Sequence, residues 1–181
     1  MKTGLTLPVA GRDHVQGWSQ APVTLVEYGD YECPQCGAAY PMVKALQREL
    51  ADKLRFVFRN FPIRELHPHA QAAAEAAEAA GAQNKFWEMH DALFEDQRSL
   101  GLNTLLQRAM ELQLDVTRWE RDIRGRVFAV RVQEDFLSGL RSGVNGTPTF
   151  FINGRRHDGP SDVESLLLAI ESSVADGANG D

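Results

Sequence analysis

The chain has 181 residues, 43% of them hydrophobic and 24% charged, with a formal net charge of −6. Those values exclude a wholly disordered, collagen-like or coiled-coil chain and predict one compact domain with room for an insertion. The acidic surplus argues against a nucleic-acid binder, and no apolar run reaches the roughly 18 residues that would span a bilayer.

Residues 1–21 read as an N-terminal arm with a short strand around Arg12 to Val15. The first ten residues lack the sustained apolar core of a secretory leader. A cytoplasmic location is the expectation, or an extracytoplasmic one if a leader has been removed. Val23 to Tyr28, bounded by Pro22 and Gly29, is nearly all apolar or β-branched, as in a strand buried on both faces. Glu27 is its one charged residue. Pro34 to Leu50 switches to helical spacing, with Ala39, Met42, Val43, Leu46 and Leu50 on one face. Leu54 to Arg59 alternates as a second strand, which completes a βαβ unit.

From His67 to Ser142 the pattern is helical throughout. An alanine-rich helix over 70–80 is followed by an apolar stripe at Phe86, Met89, His90, Leu93 and Phe94, then by Leu105 to Leu112. Thr117-Arg118-Trp119-Glu120 has the form of a capping box, and Val127 to Leu140 is a fifth helix. Thr149 to Ile152 returns to strand character before Asn153-Gly154, a strong hairpin signal, and Arg155-Arg156-His157. Ser161-Asp162-Val163-Glu164 reads as a second capping box, opening a last helix through Val174, and residues 175–181 as a disordered tail.

Cys33 and Cys36 are the only two cysteines. A bridge between them would close a four-residue loop worth only ~2 kcal/mol in the chain-entropy model, so chemistry explains the pair better than stability does. Cys-x-x-Cys where a strand gives way to a helix is a redox signal. Pro34 suits the first helical position and leaves Cys33 at the N-cap, where the first-turn N–H groups and the helix dipole favour a thiolate. Cys33 is then expected to be the exposed nucleophile and Cys36, one turn in, the buried resolving thiol. Gln35 brings no charge, which predicts a couple more reducing than the strongest disulfide donors, whose potentials lie near about −120 mV. A zinc half-site is the rival reading. Its remaining ligands would have to come from His14, His67, His69, His90 or His157, and no second Cys-x-x-Cys or paired-histidine spacing completes the set.

Tyr28-Gly29-Asp30-Tyr31-Glu32-Cys33-Pro34-Gln35-Cys36 resembles the active-site stretch of DsbA-like thiol–disulfide oxidoreductases of the thioredoxin superfamily. Val144 to Gly154 resembles that family's cis-proline loop and the strand after it, and the intervening helices resemble its inserted helical domain. The resemblance implies an α/β thioredoxin fold, with the thioredoxin-like domain at 22–61 and 147–174 and the helical domain at 62–146. It implies a cis Thr147–Pro148 bond beside the cysteines, with Thr147 and Pro148 holding a substrate backbone alongside Pro34 and Gln35. Read from residues alone, Gly146-Thr147-Pro148 is better taken as a trans loop before an edge strand. The resemblance also makes Glu27 a buried acid that takes the proton of Cys36, where the residues alone leave an edge-strand surface carboxylate open.

The implied catalytic residues are therefore Cys33, Cys36 and Glu27, with no organic cofactor or metal required, and thiol- or disulfide-containing proteins or small thiols as partners. Asp30 and Glu32, if exposed, would oppose the thiolate. His67-Pro68-His69 reads as a helix start rather than a metal hook, and His90 as a core residue. Two other readings stand beside this one. They are a redox-gated binding domain without turnover and a relative of the kappa-type glutathione transferases, which share the fold but lack the dithiol.

Overall fold

The structure, a computed structural model, describes residues 4–178. In chain order the elements are β1 (His14–Gly17), β2 (Val23–Gly29), α1 (Pro34–Leu50), β3 (Leu54–Asn60), α2 (Ala70–Gly81), α3 (Phe86–Glu95), α4 (Leu102–Glu111), α5 (Val116–Arg124), α6 (Ala129–Arg141), β4 (Thr149–Ile152), β5 (Arg155–Arg156) and α7 (Val163–Ala178). A 3-10 turn over Ala51–Lys53 joins α1 to β3. This is a thioredoxin fold, with a βαβ half, inserted helices and a C-terminal ββα half. The chain divides into two compact units. One is built from the segment ending at Gly29, from Ala38–Arg59 and from Ser138 onward; the other from Asp30–Gly37 and Asn60–Leu137.

The sheet unit carries five strands in the order β1-β3-β2-β4-β5. β2 is interior, which is why it reads as a continuous apolar run: every residue except Thr24 is buried. β4 runs antiparallel to β2, pairing Glu27 with Phe150 and Val26 with Phe151. Asn153 and Gly154 turn β4 into β5 with φ of 47° and 80°, the left-handed pair that a two-residue hairpin demands. Helix α7 packs on β2 and β4 through Leu166 and Ile170, both buried.

A buried arginine fastens the N-terminal segment to this sheet. Arg59 on β3 donates to both carboxylate oxygens of Asp13 at 2.8 and 3.1 Å, to the Tyr28 hydroxyl at 2.9 Å, and to the carbonyls of Leu7 and Pro8. Burial opposes its charge. The hydrogen bond to Asp13 and the proximity of Tyr28 more than compensate and raise its pKa.

In the helical unit α2 packs against α3, α4 and α5. Its alanines make this possible, because small side chains let three neighbours approach one helix without loss of side-chain entropy. Trp119 of α5 is buried there and donates from Nε1 to the carbonyl of Ala76.

Several boundaries differ from the sequence expectation. The first strand begins at His14, two residues later than the arm suggested. Helix α5 is capped by Asp115, whose Oδ1 accepts from the Arg118 N–H at 2.9 Å, so Thr117 lies inside the first turn. Asp162 rather than Ser161 opens α7, accepting from the Ser165 N–H at 2.8 Å. In both cases a carboxylate accepts a first-turn N–H at the positive helix end. Helix α7 also runs on to Ala178, where a disordered tail from residue 175 is the sequence expectation. The rest of that tail, 179–181, lies outside the described residues.

Candidate active site

Cys33 immediately precedes α1, and Cys36 falls in its first turn. Residues three apart on a helix share a face, so the pair is placed for mutual bonding. The Cys33 N–H donates to the carbonyl of Asp30 at 3.1 Å, and the Gly37 N–H to the carbonyl of Cys33 at 3.1 Å. The Asp30 N–H reaches Cys36 Sγ at 3.5 Å.

Cys36 is fully buried, as expected of a resolving thiol, but Cys33 is not the exposed residue that the motif suggested. It is only 3% exposed. The cause is local. The Cys33 thiol donates to Gln35 Oε1 at 3.1 Å, so an exposed side chain two residues on lies against the sulfur. Pro34 and Gln35 themselves are exposed.

The acids flanking the motif are not bare charges facing the thiols. Asp30 is buried; its Oδ1 accepts from the Glu32 N–H, and its Oδ2 accepts from the Ile63 N–H and meets His67 Nδ1, each at 2.8 Å. Glu32 accepts from the His69 N–H at 2.6 Å and meets His69 Nδ1 at 2.8 Å, at the start of α2. His67-Pro68-His69 is thus bound to the cysteine loop by two carboxylates, and α2 begins at Ala70, not at Pro68. Among the described residues no group of three or more His, Cys, Asp or Glu is arranged to hold a metal ion. His90 is buried in contact with Tyr31, Phe86, Trp87 and Phe94, and its Nδ1 meets the Tyr31 hydroxyl at 3.1 Å.

Gln97, which carries no signal in the sequence, supports the same loop. From the polar stretch after α3 its Nε2 donates to the carbonyls of Tyr31 at 2.8 Å and Cys33 at 3.0 Å. Gly37 leaves room for it, since a Cβ there would lie 1.9 Å from Gln97 Oε1. Gln97→Ala and Gly37→Ala are accordingly expected to loosen the loop alike. Hydrogen exchange of the amides of residues 31–37 should accelerate about tenfold in both variants, with the amides of α7 unchanged as the internal control.

The remaining expected residues lie in the sheet unit. Glu27 is buried on β2, an interior strand, so it is no edge-strand surface residue. The Thr147–Pro148 peptide is cis, and both residues are half-buried.

A family model described as thioredoxin matches residues 10–172. The chain belongs to the thioredoxin family. Among solved structures it is similar to BdbD from Bacillus subtilis (oxidised), with a TM-score of 0.86 and 24% identity, over 97% of this chain and 100% of that one. A thioredoxin-like oxidoreductase from Silicibacter pomeroyi DSS-3 matches with a TM-score of 0.80 and 27% identity over 95% of each chain. Among curated proteins, the Na(+)/H(+) antiporter NhaA 1 of Salinispora arenicola is 49% identical over 172 residues, 94% of this chain but 26% of that protein. The chain spans about a quarter of the length of the curated relatives it matches. No helix among the described residues is long and apolar enough to cross a membrane. A Cys-x-x-Cys pair thus stands at the start of α1 in a thioredoxin fold.

Proposed function

We propose that Cys33 and Cys36 exchange disulfides with protein or small-molecule thiols through a mixed disulfide on Cys33. The observation that carries this reading is the cysteine pair at the start of α1, Cys33 just before it and Cys36 in its first turn. In the reducing direction the Cys33 thiolate attacks one sulfur of a substrate disulfide. A Cys33–substrate bond forms, the substrate S–S bond breaks, and the other substrate sulfur leaves as a thiolate. Cys36 then loses its proton and attacks the Cys33 sulfur, which releases the second substrate thiol and leaves a Cys33–Cys36 disulfide. Two electrons pass to the substrate, and the reverse sequence installs a disulfide. Gln35 must first move off the Cys33 sulfur. Exposed side chains change rotamer in picoseconds to nanoseconds, so this is no kinetic obstacle.

Glu27 is assigned the proton of Cys36, supported by its burial in an interior strand, where a carboxyl tends to hold a proton. Thr147 and Pro148 are assigned the substrate backbone on the strength of the family resemblance, with Pro34 and Gln35 as the exposed flank of the nucleophile. Neutral Gln35 supports a couple more reducing than the strongest oxidants of the family. Rapid mixing with a chromogenic disulfide tests the scheme. Glu27→Gln is expected to leave the first thiolate release unchanged and to slow the second about tenfold or more. Equal slowing of both phases would remove Glu27 from the scheme, and absence of any thiolate release in the wild type would remove the dithiol.

A further inference from the structure

The two histidines of His67-Pro68-His69 are bound to the loop that bears the nucleophile, yet the exchange scheme uses neither. His69 is half-exposed and turned to Glu32. His67 is different, because its partner Asp30 is fully buried and bonded on every side. The main chain of Asp30 also touches both cysteines, through its carbonyl to the Cys33 N–H and through its N–H to Cys36 Sγ. A buried carboxylate on the residue whose main chain contacts both cysteines opposes a further negative charge in the same loop.

We propose that His67 is a positioning residue for the dithiol, its imidazolium offsetting the Asp30 carboxylate so that the Cys33 thiolate can form. The proposal rests on the dithiol reading of the site. His67 takes the place of a cation inside the motif, where Gln35 is neutral. Burial works against the charged ring. The hydrogen bond to Asp30 and the charges of Asp30, Cys33 and Glu32 outweigh it and raise its pKa. Coupling between two titrating groups is reciprocal, so whatever a negative charge on Cys33 adds to the proton affinity of His67, beyond the larger share of Asp30, the imidazolium returns to the Cys33 thiolate. The ionisable groups facing His67 are Asp30, Glu32 and Cys33 on the loop before α1, while His69 on its own segment pairs with Glu32.

His67→Asn separates charge from structure, because the asparagine amide can donate to Asp30 from nearly the position of Nδ1 but carries no charge. His67→Gln serves as a second neutral donor if the Asn protein does not fold. The experiment follows iodoacetamide alkylation of Cys33 against pH in the reduced full chain, together with the equilibrium against glutathione. In the neutral-donor variants the alkylation midpoint is expected to rise by about one pH unit. The glutathione equilibrium should favour the Cys33–Cys36 disulfide about tenfold more, equivalent to a potential about 30 mV more reducing. A neutral-donor variant with the wild-type midpoint and equilibrium would overturn the proposal and leave His67 a structural strut. Wild-type protein that forms no glutathione couple would instead overturn the dithiol reading itself.

Discussion

Cys33→Ser is expected to abolish disulfide exchange, with insulin reduction falling at least about a thousandfold while the far-ultraviolet spectrum stays that of the wild type. Loss of a covalent nucleophile has effects of this size because no neighbouring group can form the same intermediate. A hydroxyl at the start of α1 would gain the same helix-terminal N–H groups, but with a much higher pKa it stays protonated at neutral pH and does not displace a thiolate. Cys36→Ser should differ in kind. The first attack proceeds, and a Cys33–substrate mixed disulfide accumulates that mass spectrometry reads as one covalent adduct per chain. Cys33→Ser protein keeping a tenth or more of wild-type activity would contradict the assignment of the nucleophile.

Arg59→Leu is expected to cost about 3–5 kcal/mol, the usual penalty for stranding one partner of a buried ion pair. All the acceptors of the guanidinium are left behind: the fully buried Asp13 carboxylate, the Tyr28 hydroxyl and the Leu7 and Pro8 carbonyls. Urea titration should show the loss as a lower midpoint. Arg59→Lys should recover only part of it, because an ammonium cannot reproduce the two-pronged contact with Asp13. Arg59→Leu combined with Asp13→Leu should recover more, since no buried charge is then stranded. A single Arg59→Leu variant losing less than about 1 kcal/mol would show that the pair contributes little to the fold.

What could be read in advance from the sequence was local. Pro34 marks the start of α1, Asn153-Gly154 the turn between β4 and β5, and the apolar run from Val23 a strand interior to its sheet. Each rests on residues within a few positions of one another, where backbone preference and hydrophobic period act directly. Contacts made across long stretches of chain left no such trace. Arg59 reaches back 46 residues to Asp13, His67 37 residues to Asp30, and Gln97 64 residues to the Cys33 carbonyl. Arg59 ends a strand pattern and reads as an ordinary polar position. Gln97 sits in a polar stretch with no period at all. The burial of Cys33 is illegible in the sequence for a subtler reason. The motif specifies where the sulfur sits on the helix, but not the side chains that lie against it, of which Gln35 is one.

The central claim is that Cys33 and Cys36 form a reversible two-electron couple. Equilibration of the wild-type chain across graded ratios of reduced and oxidised glutathione, with acid quenching and mass spectrometry of the trapped thiols, tests it directly. The expected result is one two-electron transition in which both cysteines change together, at a potential clearly more reducing than about −120 mV. Two thiols that remain reduced at every ratio, or that each form a separate adduct with glutathione, would contradict it.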